Sequence, residues 1–270
     1  MTRKLAGGLG HVLLALALCS GCAKKAPAPR RTEPWLATPS QSARSAPSAP
    51  LGFRFTSESA ISFSVPGRKA KPSGQVPLLE GQLRLDPGEL SRSTASIDAD
   101  LTKLTLTSGA ALEGLEGAEP SSLTTQALQW LELGAAVPSE QKSAFGRAQF
   151  ELVSLEGLSR STLDLQATKP SELRVHATVI GTLLVHGFRE PIRLPVVLEL
   201  SPPNGGALRR VSIRSAAPLV MALGLHDIAA RDAAGVRDPR AEKLAAEAVG
   251  KAAQIELRLV AEQVTSGSSN

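Results

Sequence analysis

Apolar and polar side chains alternate with a period of two along most of the chain beyond residue 51. The longest such run is GTLLVHGFREPIRLPVVLEL, Gly181 to Leu200. Leu183 and Val185 share one face before a tight break at His186-Gly187, and Ile192, Leu194, Val196, Leu198 and Leu200 keep that phase after it. Period two marks a β-strand. A strand buried on both faces would be apolar throughout, so here one face meets water and the other a core or a cavity.

The same alternation recurs along the chain. ISFSV (61–65) sets Ile61, Phe63 and Val65 on one side, and EGQLRLD (80–86) does so with Leu83 and Leu85. STASIDADL (93–101) opposes Ile97, Ala99 and Leu101 to Asp98 and Asp100. RAQFELV (147–153) opposes Phe150 and Leu152 to Gln149 and Glu151. STLDLQA (161–167) repeats the pattern with Leu163 and Leu165. ELRVHATVIGTLLVHG (172–187) carries Val175, Ala177, Val179, Leu183 and Val185 on one side. The quoted ladder, LRRVSIR (208–214) and AQIELRLVAE (253–262) complete about nine strand-like runs. That number suits a closed antiparallel barrel or a sandwich.

Two segments leave this rhythm. SSLTTQALQWLELG (121–134) places Leu123, Ala127, Trp130 and Leu131 at helical spacing behind Pro120 and before Gly134. DPRAEKLAAEAVGKA (238–252) offers Asp238 as N-cap, Pro239 at the first helical position and Gly250 near the end. Both are short helices that tertiary packing must hold.

The N-terminus does not belong to the fold. A basic MTRK, the apolar run Leu5 to Leu18 and Ser20-Gly21-Cys22 form a secretory signal. This resembles the bacterial lipoprotein box, with Cys19 where a Leu is usual, and it implies lipid attachment at Cys22. The expected organisation is a signal peptide over 1–21, a Pro/Ala/Ser-rich tether over 22–50, a β-barrel domain over 51–264 and a disordered tail over 265–270. Such a chain is membrane-anchored through acylated Cys22, on the periplasmic side or at the outer membrane. Cys19 leaves with the signal, so neither cysteine staples the fold.

Charge and chemistry narrow the function. Without Arg3 and Lys4, 28 basic residues face 25 acidic ones, a balance that does not suit nucleic-acid binding. His176 and His186 would lie about 33 Å apart along an unbroken strand. His226 stands among aliphatic residues, and no paired-histidine spacing exists, so no metal is expected. His186 at the hairpin is read as bonding backbone or a neighbouring carboxylate. Asp98 and Asp100, about 7 Å apart on one strand face, match carboxylate spacing for acid–base work; they are read as solvated outer-face residues. No nucleophile elbow or phosphate-cradling glycine loop is present. The chain reads as no enzyme, without cofactor, and His226-Asp227 is the one pair with catalytic interest.

Gly181-x-Leu183-x-x-His186-Gly187-x-x-x-Pro191-Ile192-x-Leu194-Pro195-Val196 resembles the signature hairpin of the YceI family of secreted lipocalin-like proteins. Phe63 in ISFSV, the GQLRLD strand, SIDADLTKL, Ser122-Leu123 with Trp130-Leu131, and Ala148-x-Phe150 are similar to further family segments in the same order, over about residues 53 to 262. The resemblance implies a mainly β, antiparallel eight-stranded barrel with one or two short helices, one lying across its opening. It also implies a long amphiphilic or isoprenoid lipid held inside. The chain departs from the family where Arg214 is followed, after an insertion, by LGLHDIAARDAAG (223–235), and it has no Tyr.

On this reading the interior is lined by Leu83, Leu85, Phe150, Leu165, Val179, Leu183, Val185, Leu194, Val196, Leu198, Val211 and Ile213. These side chains either fill the barrel as a plain core or leave a tube for a hydrocarbon chain. The first outcome fits a structural or protein-interaction lipoprotein with an unidentified protein partner. The second fits a lipid carrier.

Overall fold

The computed structural model describes residues 49–264 apart from 69–70, 109–119, 168, 202–208, 233, 241 and 244–249. The leader, Cys22, the tether up to residue 48 and the 265–270 tail lie outside the described residues.

The chain alternates strands β1 (Leu51–Phe55), β2 (Ala60–Ser64), β3 (Ser73–Val76), β4 (Leu78–Leu85), β5 (Thr94–Asp100) and β6 (Thr105–Ser108) before its helices α1 (Pro120–Trp130) and α2 (Ser139–Phe145). Then follow β7 (Arg147–Glu156), β8 (Arg174–Val185), β9 (Phe188–Leu200), β10 (Arg210–Ser215), β11 (Leu219–Ala222) and β12 (Ala252–Gln263). Every pairing is antiparallel. The order β1-β4-β5-β7-β8-β9-β10-β12 closes because β12 also pairs β1. This is the expected eight-stranded antiparallel barrel with two short helices.

β12 is long enough to pair β10 and β11 on one side and β1 and β2 on the other. Pro77, which has no N–H to give a ladder, breaks β3 from β4. A 3-10 turn, Leu101–Lys103, breaks β5 from β6; Asp100 Oδ1 accepts the Thr102 N–H at 3.0 Å and starts that turn. β6 therefore pairs β3 but not β7. α1 lies beside β6, where the Leu106 N–H bonds Thr124 Oγ1 at 3.0 Å.

The β8–β9 hairpin carries the ladder that the alternation identifies, with twelve Cα pairs from Arg174↔Glu199 to Val185↔Phe188. His186 (φ +50°) and Gly187 (φ +83°) make its two-residue turn. Positive φ at both positions twists the turn with the strands. Pro191 and Pro195 are tolerated because β10 pairs only Val196–Leu200, so neither proline breaks a central ladder. A bulge between Leu152 and Ser154 shifts the phase of β7, which turns both Leu152 and Leu155 inward and leaves Val153 exposed.

The structure corrects two expectations, and a third lies mostly outside the described residues. STLDLQA (161–167) is not a strand. The loop crosses the far end of the barrel, where the Leu163 N–H donates to Pro87 O at 2.8 Å and the Leu90 N–H to Ser161 O at 2.9 Å, both bonds joining loops and neither belonging to a strand ladder. Leu163 and Ala167 alternate in burial because they plug that end against Leu85, Leu173 and Val211. α1 ends at Trp130, short of residue 134, because Glu132 adopts the left-handed conformation at φ +56°. The 238–252 helix is described only at residues 239, 240, 242 and 243, where Asp238 Oδ1 accepts the Arg240 N–H at its start.

Candidate functional site: a bore through the barrel

The inward faces do not fill the barrel. They enclose a cavity of about 300 Å³. Val175 and Val185, at either end of β8, both line it. It thus follows about 33 Å of strand, roughly 25 Å along the axis at an ordinary barrel tilt. So small a volume over that length makes a narrow bore.

Two features keep it open. Ala95, Ala99, Ala148, Ala177 and Ala253 stand in the wall where larger residues would meet across it. The three phenyl rings in the wall, Phe55, Phe63 and Phe150, lie back over Gly81, Gly74 and Gly181 of neighbouring strands. A Cβ on Gly181 would sit 2.2 Å from Phe150 Cε2, and one on Gly74 would sit 2.8 Å from Phe63 Cζ. Glycine lets each ring press flat against the backbone instead of crossing the lumen.

Of the twelve interior residues read from the sequence, Leu83, Leu85, Phe150, Val179, Leu183, Val185, Leu194, Val196, Leu198 and Ile213 line the bore. Leu165 and Val211 do not. Leu165 sits on the end-plug loop, and Val211 is fully buried in the plug's core. Among the described residues, the polar residues along the wall besides Trp130 are Ser93, Gln126 and Gln149. Gln149 is solvent-exposed on the outward face of β7, where it pairs Asp98 of β5.

At the α1 end the wall is made by Ala127, Trp130 and Leu131 on one side and Leu223 and Ile228 on the other. Behind it lies a polar cluster that joins three elements. His186 and His226 are each 1 % exposed. His186 Nδ1–H donates to His226 O at 2.8 Å, and the Phe145 ring stacks on the His186 ring at 4.3 Å between centroids. His226 Nε2–H donates to Glu190 Oε2 at 2.8 Å. Arg231 reaches Glu132 Oε1 at 2.7 Å and Asp227 Oδ2 at 2.6 Å, and Arg237 also pairs with Asp227. Gln141 of α2 donates to the other oxygen of Glu132.

Glu132, His186 and Asp227 (φ +55°) are the three non-glycine residues with positive φ among the described residues, and all three belong to this cluster. Left-handed backbone outside glycine persists only where surrounding contacts over-determine it. The cluster is thus a clamp. It fixes the loop 223–238 and the end of α1 to the β8–β9 turn.

Burial raises the Asp227 carboxyl, but hydrogen bonds and attraction from Arg237 and Arg231 outweigh it and hold it below its ordinary range. This places the expected bonding of His186 to backbone at the hairpin, and it makes His226-Asp227 part of a structural network. Glu132, Glu190, Arg231 and Arg237 carry no periodic signal and were not read from the sequence. Asp98 and Asp100 lie on the face opposite the bore-lining Ile97 and Ala99; Asp100 also pairs with Lys103 at 3.3 Å. His176 is exposed. No group of three or more metal-ligating side chains converges among the described residues.

No protein-family model and no curated protein matches the chain. Solved structures are similar to the chain at low identity, two of them as follows. One is the crystal structure of Burkholderia cenocepacia BcnA, 12 % identical over 75 % of this chain and 96 % of that one, with a TM-score of 0.46. The other is a polyisoprenoid binding domain from Saccharophagus degradans implicated in plant cell wall breakdown, 12 % identical over 79 % of this chain and 99 % of that one, with a TM-score of 0.48.

Proposed function

We propose that the barrel binds and carries one long hydrocarbon chain of an amphiphilic or isoprenoid lipid, without a chemical step. The bore itself is the observation that supports this. Left empty, an apolar cavity of this volume forfeits roughly 7 kcal/mol at about 24 cal/mol per Å³, comparable with the whole stability of an ordinary domain. A dozen methylenes placed there contribute roughly 10 kcal/mol at about 0.8 each. A barrel packed solid, as the interaction-protein reading requires, does not have this interior.

The same proposal takes Cys22 as acylated and the protein as an envelope lipoprotein, its tether holding the barrel near the membrane that supplies lipid. The basic start, apolar run and small residues before Cys22 support that part.

Trp130 reports on the bore directly. With Trp35→Phe, it is the one remaining tryptophan. Titration with the methyl ester of a dibrominated octadecanoic acid is expected to quench its fluorescence saturably at one ester per protein. Quenching no greater than that of free tryptophan would contradict the proposal.

A further inference from the structure

We infer that the lipid enters and leaves the bore sideways, through a seam in the barrel wall between β9 and β11. This rests on the lipid-carrier reading and adds the route by which the hydrocarbon chain reaches the cavity.

The wall is not hydrogen-bonded all the way round. β10 bonds β9 only along residues 196–200, and β11 pairs β12 alone among the described residues. The last bond across is from Ala216 N–H to Pro195 O at 2.8 Å. Beyond it, β9 and β11 face each other across a groove of about 240 Å³, lined by residues 190–193 and 218–221. The sequence keeps this seam open. Because the Pro195 carbonyl faces it, the main-chain groups of Arg189, Pro191 and Arg193 in the same extended strand face it too. Two of these four positions are proline, with no N–H to give a ladder. An edge blunted in this way does not zip to its neighbour.

The groove also reaches the bore. Leu183, Ile192, Leu219 and Met221 line both, whereas Pro191, Arg193 and Val220 of the same groove are exposed. The seam therefore runs through the wall, and the four shared apolar side chains separate bore from surface. Moving them breaks no ladder hydrogen bond across the seam. The charged side chains of the groove are held aside, Glu190 by His226 and Arg193 by Glu156, each at 2.8 Å. Both ends of the barrel are harder to open. One is plugged by buried Leu163 and Ala167, and the cover of the other is held by the buried Arg231–Glu132 pair.

The test bridges the seam with a linker that can be cut. In the full chain carrying Cys19→Ser, Cys22→Ser and Trp35→Phe, Arg193→Cys and Val220→Cys supply the only thiols, and dithiobismaleimidoethane joins them. Both positions are exposed. Entry of the methyl ester of dibrominated octadecanoic acid is read from the rate of Trp130 quenching. The bridge is expected to slow loading by roughly tenfold or more, and cutting the linker with a reductant to restore it. Protein loaded first and bridged afterwards should keep its ester when phosphatidylcholine vesicles are added, while unbridged protein gives it up. The same linker between Arg174→Cys and Glu199→Cys, a paired position of the β8–β9 ladder, should change neither rate. Loading as fast with the seam bridged as without, or slowed equally by the control bridge, overturns the inference while leaving lipid carriage standing. Absence of quenching in the unbridged protein overturns lipid carriage itself.

Discussion

Arg231 and Glu132 form a buried ion pair, 2.7 Å between Nη2 and Oε1, with side chains 7 % and 11 % exposed. The pair joins the loop after β11 to the residue that ends α1. Both segments contribute wall to the same end of the bore. A pair so placed holds the cover of the cavity more than it holds the barrel.

Removing one partner of a buried pair strands the other charge. Arg231→Met or Glu132→Gln is therefore expected to cost about 3–5 kcal/mol, read as a shift in the urea unfolding midpoint. The double variant should be less destabilised than the sum of the two, because no stranded charge remains between them. Additive effects would show that the pair is not coupled.

The clamp also sets an acid limit. Asp227 is held below its ordinary value of 3.8 despite the opposing effect of burial, and Asp100 likewise, by Thr102 and Lys103. A lowered folded pKa contributes stability above the unfolded value and loses it as pH falls through the folded one. Unfolding midpoints measured from pH 6 down to 2 should fall below about pH 4. Asp227→Asn, less stable at neutral pH, should show a flatter acid limb. An unchanged acid limb in that variant would remove Asp227 from the account.

Glycine under the phenyl rings is a spatial requirement. Gly181→Ala places a methyl group 2.2 Å from Phe150 and 2.6 Å from the Glu151 carbonyl, which is backbone and cannot swing away. The expected cost is about 1–3 kcal/mol, with the ring driven toward the lumen and lipid capacity reduced. Gly181→Ala in a Phe150→Leu background should recover part of the stability.

Ala99 and Ala177 leave width in the bore. Ala99→Leu with Ala177→Leu fills it from the wall with aliphatic carbon. Lipid stoichiometry should drop toward zero while the lipid-free protein keeps its melting temperature or gains up to about 2 kcal/mol per site. Undiminished lipid binding in this variant would place the ligand elsewhere.

The alternation that makes the β8–β9 ladder legible is strict because one face of a barrel strand is buried along its whole length. The inward faces of β4, β5, β7 and β10 follow from the same period. β1, β3, β6 and β11, each of four or five residues, are too short to show a period and were not legible. Leu163 and Leu165 alternate without being a strand, since a plug loop can also bury every second or fourth residue. The clamp was hidden for another reason. His186 and His226 are forty positions apart, and Glu132 meets Arg231 only after β7 to β11 have closed the barrel. Nothing in local pattern encodes such pairs, although a histidine at the left-handed turn position before Gly187 is a hint that the ring has a buried partner. That the bore is open was equally illegible, because it depends on which alanines and glycines face which rings.

Native mass spectrometry of the purified chain, before and after extraction with organic solvent, tests the central claim most directly. The account expects a mass excess of a single long-chain lipid at near-unit occupancy, which extraction removes and which returns on adding lipid back. A chain that carries no such mass and takes up none when hydrocarbon is supplied would contradict it.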